Sequence, residues 1–377
     1  MIISSQFDGG NIECVDSSDI GNVLLEIRPD SQSEFYQWFY FRSANVKDLD
    51  CRYVIQNAGG AAYQRGWHDY QAVASYDREF WFRVDTSFDG NNLVIEFNSS
   101  EDQVYFAYFA PYSMERHADL VAFAQTSDRC QVETLGFTLD GQTMDCLSFG
   151  ETGAGKKSIW MVARQHPGET MAEWWMEGMV NRLVDDSDPV TNAILEKAVV
   201  YLVPNMNPDG SRRGHLRTNA VGSNLNREWD NPCAEKSPEV LCVLKKIRQT
   251  GLDFGLDVHG DEALPYNFIA GTEGIPGWSQ DRQKQLDAYT QTLAAINPDF
   301  QTENGYPTNA AGQANLSYCS NSLAQEFEAL VMTLEMPFKD ATGTPDKLQG
   351  WSPERCIHLA HSCLEALHQS WDQVIKP

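Results

Sequence analysis

Positive charge is scarce in this chain. Its 377 residues carry 28 Lys and Arg against 53 Asp and Glu, a formal net charge of −25. Such a surface repels phosphate backbones, so nucleic acid is excluded as an expected partner, and it repels acidic peptides at long range. The shortage is complete from Gln285 to Phe338, where no lysine or arginine occurs. Long apolar runs are also missing: none approaches the ~20 residues that span a bilayer, so no membrane partner is expected. The opening segment Met1-Ile-Ile-Ser-Ser-Gln6 has neither the basic nor the apolar region of a secretory signal. The nine cysteines are odd in number, scattered and never spaced C-x-x-C, which reads as free thiols in a reducing compartment. A cytoplasmic location is the expectation. No Gly-x-Ser-x-Gly is found, so nothing points to a serine nucleophile.

What remains is a composition of 42% apolar and 21% charged residues, that of a globular protein. The chain is long for one hydrophobic core, so two domains are expected. Residues 1–110 read as β structure: Tyr36–Arg42, Cys51–Asn57, Phe80–Asp85, Leu93–Phe97 and Val104–Phe109 are short, aromatic and β-branched. Turn clusters separate them, with a hairpin expected at Asp89-Gly-Asn-Asn92, and the pattern predicts a small antiparallel β-sandwich. Over residues 111–377 strand-like runs (Ser158–Arg164, Ala198–Val203, Phe254–Val258, Leu330–Leu334) alternate with helical ones (Met171 to Leu183, Pro238 to Gln249, Asp281 to Ile296, Pro353 to Val374). That alternation predicts an α/β fold, a mixed, mostly parallel sheet flanked by helices.

Four residues stand at strand ends in this reading, where open α/β sheets place their sites. They come from His166-Pro-Gly-Glu169, Asp257-Val-His259-Gly and Thr333-Leu-Glu335-Met. A catalytic zinc takes three protein ligands from imidazole and carboxylate groups and leaves a position to water. His166, Glu169 and His259 fill that set, and Glu335 is left as a carboxylate able to take a proton from the water. Asp257 and Asp261 are candidate partners to fix the tautomer of His259. Taken singly, each of these residues has a bland reading as a solvated turn or core group. Their common placement makes them a set, and amide hydrolysis with one Zn2+ per chain follows as the expectation.

Five segments carry a wider resemblance: His166-Pro-Gly-Glu169, Pro204-Asn-Met-Asn-Pro-Asp-Gly210, Leu225-Asn226-Arg227, Asp257-Val-His259-Gly and Thr333-Leu-Glu335. The chain resembles the zinc metallocarboxypeptidases, most closely their cytosolic carboxypeptidase branch. Trp38–Arg42 and Tyr105–Tyr112 resemble the sandwich that precedes the catalytic domain in that branch. The resemblance implies a carboxypeptidase-like fold and hydrolysis of carboxyl-terminal residues from peptides or proteins. It implies Glu335 as general base and Arg217 as the group that stabilises the carbonyl oxygen as it gains charge. Asn226 and Arg227 would clamp the terminal carboxylate, since a planar guanidinium pairs with it bidentately.

Two departures matter. No tyrosine lies between Cys319 and Glu335, so the tyrosine that caps the site is expected to be Tyr318, with Tyr306 next. The absence of cations from Gln285 to Phe338 makes a glutamate-reading pocket doubtful unless Arg212, Arg213 or Lys339 is borrowed. A neutral or polar pocket around Asn315, Ser317, Asn321 and Ser322 is expected instead. The enzyme alternative is a zinc amidohydrolase that deacylates N-acyl amino acids, which would not be expected to carry the sandwich. A binding module with structural zinc is the non-enzyme alternative, and retention of Glu335 argues against it. Two further motifs are set aside. Gly150–Lys156 matches seven positions of a phosphate-binding loop, but Lys157 replaces the Ser or Thr and a strand follows, so it reads as a hairpin turn. His358-x-x-His361 reads as part of an amphipathic helix.

Overall fold

The computed structural model describes residues 1–376. Two five-stranded sheets lie within the first 107 residues. One runs Ile2–Ser4, Tyr40–Ala44, Gln103–Ala107, Val73–Ser75, Phe82–Arg83, with every pair antiparallel. The other runs Glu13–Asp16, Val23–Glu26, Asp50–Ile55, Leu93–Asn98, Thr86–Phe88. Its pairs are antiparallel except Val23–Glu26 with Asp50–Ile55, which is parallel. The exception has a topological cause: between those two strands the chain crosses to the first sheet as Tyr40–Ala44 and re-enters the second in its original direction. Alternating aromatics fill the space between the sheets, with Tyr53 of one 5.8 Å from Phe41 and 4.9 Å from Phe106 of the other. Asp89 builds the expected hairpin turn by accepting from the backbone N–H of Asn91 and Asn92 at 2.8 and 2.7 Å.

A seven-stranded sheet follows, in the order Cys130–Phe137, Thr143–Phe149, Ala198–Val203, Lys157–Ala163, Phe254–Asp261, Leu330–Pro337, Phe268–Ala270. The four strands from Ala198–Val203 to Leu330–Pro337 are mutually parallel, and the pairs outside them are antiparallel. The sheet is therefore mixed with a parallel centre. Those central strands are buried nearly throughout (Ala198–Val203 wholly so), as strands covered on both faces must be. Gly150–Lys156 is a turn but not a hairpin, because Ala198–Val203 inserts between the two strands it joins.

Helices cover the faces. Met171–Val184 packs against Pro353–Gln369 so closely that a Cβ on Gly178 would stand 2.6 Å from the Cα of Ile357. Serine side chains cap several starts: Ser113, Ser279 and Ser352 each accept from the backbone N–H three residues on. The helix expected through Val374 stops at Gln369, where Ser370 turns its hydroxyl back to the carbonyl of Ala366. The core is continuous between the halves, and the rings of Tyr108 and Phe338 stack across the seam at 4.4 Å. Among the described residues, no helix is long and apolar enough to cross a membrane.

Candidate metal centre

The parallel strands deliver the predicted residues to one edge. Beyond Lys157–Ala163 the chain turns through Arg164, which holds φ at +56°. Its guanidinium fastens that turn, donating to Pro167 O, Tyr112 O and Glu173 Oε2 at 3.0, 2.8 and 2.6 Å. His166 and Glu169 thereby face back over the sheet, and Glu169 precedes the helix Met171–Val184. The neighbouring strand carries His259, and register pairs His259 with Glu335 on the next strand.

His166, Glu169 and His259 are buried and their ligand atoms lie within 4.8 Å of one another, the one such group among the described residues. Both imidazole Nδ1 atoms approach the same carboxylate at 2.7 Å, His166 to Glu169 Oε1 and His259 to Oε2. The other ring nitrogens are spoken for: His166 Nε2 lies 3.1 Å from Asn224 Oδ1, and His259 Nε2 lies 2.9 Å from Asp257 Oδ2. Those acceptors place the ring protons on Nε2 and turn both Nδ1 lone pairs toward Glu169. Two ring nitrogens and a carboxylate converge here out of water, and the donor set suits zinc. Gln165 supports this arrangement by donating to both oxygens of Asp257 at 2.8 Å, while Trp229 donates to Gln165 Oε1. Asp261, by contrast, does not reach His259. It caps the next turn, accepting from Ala263 N, and receives the Tyr306 hydroxyl at 2.6 Å.

Charge at the site is perturbed in opposite directions at the two histidines and at the two glutamates. Burial pushes His166 down to about 4, helped by Arg217. For His259 burial is outweighed by Asp257 and Glu169, which raise it well above its ordinary value. For Glu169 burial is outweighed by the two histidines, which keep it ionised. Burial, with Glu169 adding to it, raises Glu335 well above the usual carboxylate range, while His259 opposes. Glu335 is 6% exposed; its Oε1 lies 3.2 Å from the Tyr306 hydroxyl oxygen, and Oε2 has no partner among the described residues.

These groups open into a cavity of about 960 Å³ that Arg217, Asn226, Arg227, Tyr306 and Tyr318 also line. Arg227 lies over the Tyr318 ring at 3.7 Å and donates to its neighbour's carbonyl, Asn226 O, at 2.6 Å. Asn226 is turned inward, accepting from Cys319 N at 2.8 Å with its Nδ2 3.3 Å from His259 Nε2. The tyrosine beside Glu335 is Tyr306, not Tyr318, because the loop between the helices Gln280–Ile296 and Cys319–Phe327 folds back to Asp261 and Glu335. Of the four residues expected to form the side-chain pocket, only Asn321 lines the cavity, whereas Glu273, Asp287 and Glu303 line it unexpectedly. Arg212, Arg213 and Lys339 do not line it; Arg213 pairs with Asp140 at 2.7 Å and Lys339 donates to His68 O at 2.6 Å. His358 and His361 share the helix Pro353–Gln369 with ring centroids 6.4 Å apart and no third ligand among the described residues.

Three lining or supporting groups had no expectation attached. Asn224 was open to it, since it stands two residues before Asn226. Glu262, 6% exposed at the cavity wall, follows His259-Gly-Asp261 and was flagged only by that adjacency. Tyr63 lines the cavity from the amino-terminal half, and nothing local marks it.

A family model described as the cytosolic carboxypeptidase N-terminal domain matches residues 3–109, and one described as zinc carboxypeptidase matches residues 116–287. An uncharacterized protein of Zymomonas mobilis is 51% identical over 372 residues, 99% of this chain and 97% of its own length. Cytosolic carboxypeptidase 6 of mouse is 28% identical over 70% of this chain, which spans 54% of that protein. A metallo-carboxypeptidase from Pseudomonas aeruginosa, solved in complex with (2-guanidinoethylmercapto)succinic acid, is 42% identical with a TM-score of 0.96, over 99% of this chain and 100% of that one.

Proposed function

Because the chain belongs to the zinc carboxypeptidase family and carries the amino-terminal domain of its cytosolic branch, we propose that it removes single residues from the carboxyl ends of peptides or proteins. The observation that carries this is the convergence of two Nδ1 atoms on one carboxylate beside the unpartnered Oε2 of Glu335, in a cavity that also presents two arginines. One zinc ion per chain would be held by His166, Glu169 and His259, and when bound it supplies a water of lowered pKa and a Lewis acid toward the scissile carbonyl. Glu335 receives the proton of the attacking water and returns it to the leaving amine. Its burial supports this role, because a carboxylate raised above its ordinary range is a stronger acceptor for the proton of the water. Arg217 faces the carbonyl oxygen as charge develops on it.

Arg227 pairs with the terminal carboxylate, its plane steadied by the Tyr318 ring. Asn226, which lines the cavity beside it, contributes an amide N–H. Tyr306 closes over the bound residue from its place beside Glu335. A basic or neutral side chain suits the pocket better than glutamate, since Glu273, Asp287 and Glu303 line the cavity and its arginines are already assigned. The guanidinium of the ligand held by the P. aeruginosa relative is in keeping with that preference. The nine free cysteines support a cytoplasmic setting. We take residues 1–110 and 111–377 as the two domains.

The test is a panel of peptides ending in Lys, Arg, Ala, Phe and Glu, assayed beside an N-acyl amino acid with the zinc-loaded enzyme and with Glu335→Gln. Release of the last residue, led by Lys or Arg, and a loss of about 100-fold or more in kcat for Glu335→Gln are expected. Preference for Glu would overturn the pocket reading, and turnover of the N-acyl amino acid alone would overturn the reaction.

A further inference from the structure

The guanidinium of Arg217 makes no hydrogen bond to any described residue, yet its position has to be set to within a few tenths of an ångström for it to meet a developing oxyanion. What sets it comes from the amino-terminal half. Asp30 is 3% exposed, and its carboxylate accepts from four donors on the segment that carries Arg217. They are Leu216 N at 2.6 Å, Arg217 N and Thr218 N at 2.8 Å, and Thr218 Oγ1 at 3.0 Å. Three successive N–H groups meet one carboxylate only if the backbone curls around it, so these bonds fix the Arg217 Cα. Bonds of this charge-assisted kind are strong, and a carboxylate this deeply buried requires them.

Contacts on either side of this clamp extend it. Ser31 N donates to His215 Nε2 at 3.1 Å, which leaves His215 Nδ1–H to donate to Thr218 O at 2.9 Å. Gly9 N donates to Arg212 O, and Asn11 Nδ2 to Gly214 O. Gly214 has φ +73°, and a Cβ there would stand 2.7 Å from Gly9 O, so the two segments meet backbone to backbone. On its other side the segment abuts the metal-binding turn, Gly168 N donating to Leu216 O at 2.9 Å. The side chain is placed by rings of the same amino-terminal half, the Arg217 guanidinium lying 5.3 Å from the Tyr63 centroid and 5.7 Å from that of Phe35.

We infer that Asp30, Phe35 and Tyr63 are positioning residues for Arg217, so that the amino-terminal domain takes part in catalysis by fixing where the oxyanion-stabilising cation stands. The inference rests on the role proposed for Arg217 above. Aromatic faces suit this task because they hold a guanidinium in place without consuming the N–H donors it must offer to substrate.

The experiment is a double-mutant cycle on the full-length, zinc-loaded chain. Wild type, Asp30→Ala, Asp30→Asn, Phe35→Leu and Arg217→Ala are compared with each of the first three substitutions combined with Arg217→Ala. We measure kcat, KM, zinc per chain, Tm and the affinity of a phosphonate dipeptide that presents a tetrahedral oxyanion. Arg217→Ala is expected to lower kcat by about 100-fold. Asp30→Ala and Phe35→Leu should each lower kcat by roughly 10-fold and weaken the phosphonate in parallel, with KM and zinc content little changed and Asp30→Asn intermediate. In the Arg217→Ala background the same substitutions should change kcat by less than about 2-fold, since no guanidinium remains to be misplaced. Wild-type kcat in Asp30→Ala with only a lowered Tm would reduce Asp30 to a fastener and overturn the inference. So would equal factors in both backgrounds. If Asp30→Ala does not fold, Asp30→Asn and Phe35→Leu complete the cycle. If Arg217→Ala itself keeps full kcat, the role given to Arg217 fails instead.

Discussion

At the scale of single residues the site divides by how its members find each other. His166 and Glu169 are three apart in a turn, and His259 and Glu335 are paired near the ends of adjacent parallel strands, so short motifs announce them. Asp30 and Arg217 are 187 positions apart and touch only because two folded halves meet, so no local pattern carries that contact. The tyrosine shows the same limit: sequence distance favours Tyr318, whereas the loop geometry brings Tyr306 to Glu335. Arg227 permits a sharp expectation, because its cation is spread over the Tyr318 ring and faces the cavity. Arg227→Ala should raise KM for peptides with a free terminus by about 10-fold or more, and amidation of that terminus should cost the wild type a similar factor. In the variant, free and amidated peptides should be turned over alike. Steady-state kinetics on matched acid and amide peptides check this, and a variant that still prefers the free acid would contradict it.

At the scale of elements, the long helices and central strands were legible from periodicity and apolar runs. Most of the missed strands are short or lie at edges, such as Ile2–Ser4 and Phe268–Ala270, where pairing rather than pattern decides; Thr143–Phe149, inside the large sheet, is the exception. Elements beneath the metal site are joined by a buried polar network. Glu173, on Met171–Val184, accepts from Arg164 and Asn205 and meets His117 Nδ1 at 2.6 Å, while Asp145 lies 3.4 Å from His117 Nε2. Burial opposes a charge on His117, but Glu173 and Asp145 outweigh it and raise the imidazole from 6.5 to about 9. A raised folded-state value means that stability is fully present below the unfolded value and is lost as pH climbs through the folded one. Between pH 6.5 and 9 the protein should therefore lose on the order of 3 kcal/mol that His117 contributes. Urea unfolding across that range should show the decline in the wild type and a flatter profile in His117→Gln. A wild-type profile without slope would show that the imidazole is not charged there.

At the scale of the whole molecule, the two halves share one core and are pinned by Arg83. Its guanidinium donates to Gln71 O in its own half and to Phe338 O, Gln349 O and Trp351 O in the other, at 2.7–3.2 Å. Composition and length suggested two bodies, but no sequence pattern reports how tightly such bodies are joined. The expectation is one cooperative unfolding transition for the full chain, seen alike by calorimetry and by tryptophan fluorescence. Arg83→Ala should cost on the order of 2–4 kcal/mol by leaving those carbonyls without a donor. It should lower Tm by several degrees or split the transition in two. Two separated transitions in the wild type would contradict the coupling.

The fastening by Arg83 also bears on how such chains can be recombined. A crossover near residue 110 between two relatives would pair one parent's guanidinium with carbonyls shaped by the other parent. Hybrids joined there should express poorly unless residues around 338, 349 and 351 are inherited from the parent that donates the first half. The segments to exchange together are thus those on either side of the seam, however far apart they lie along the gene.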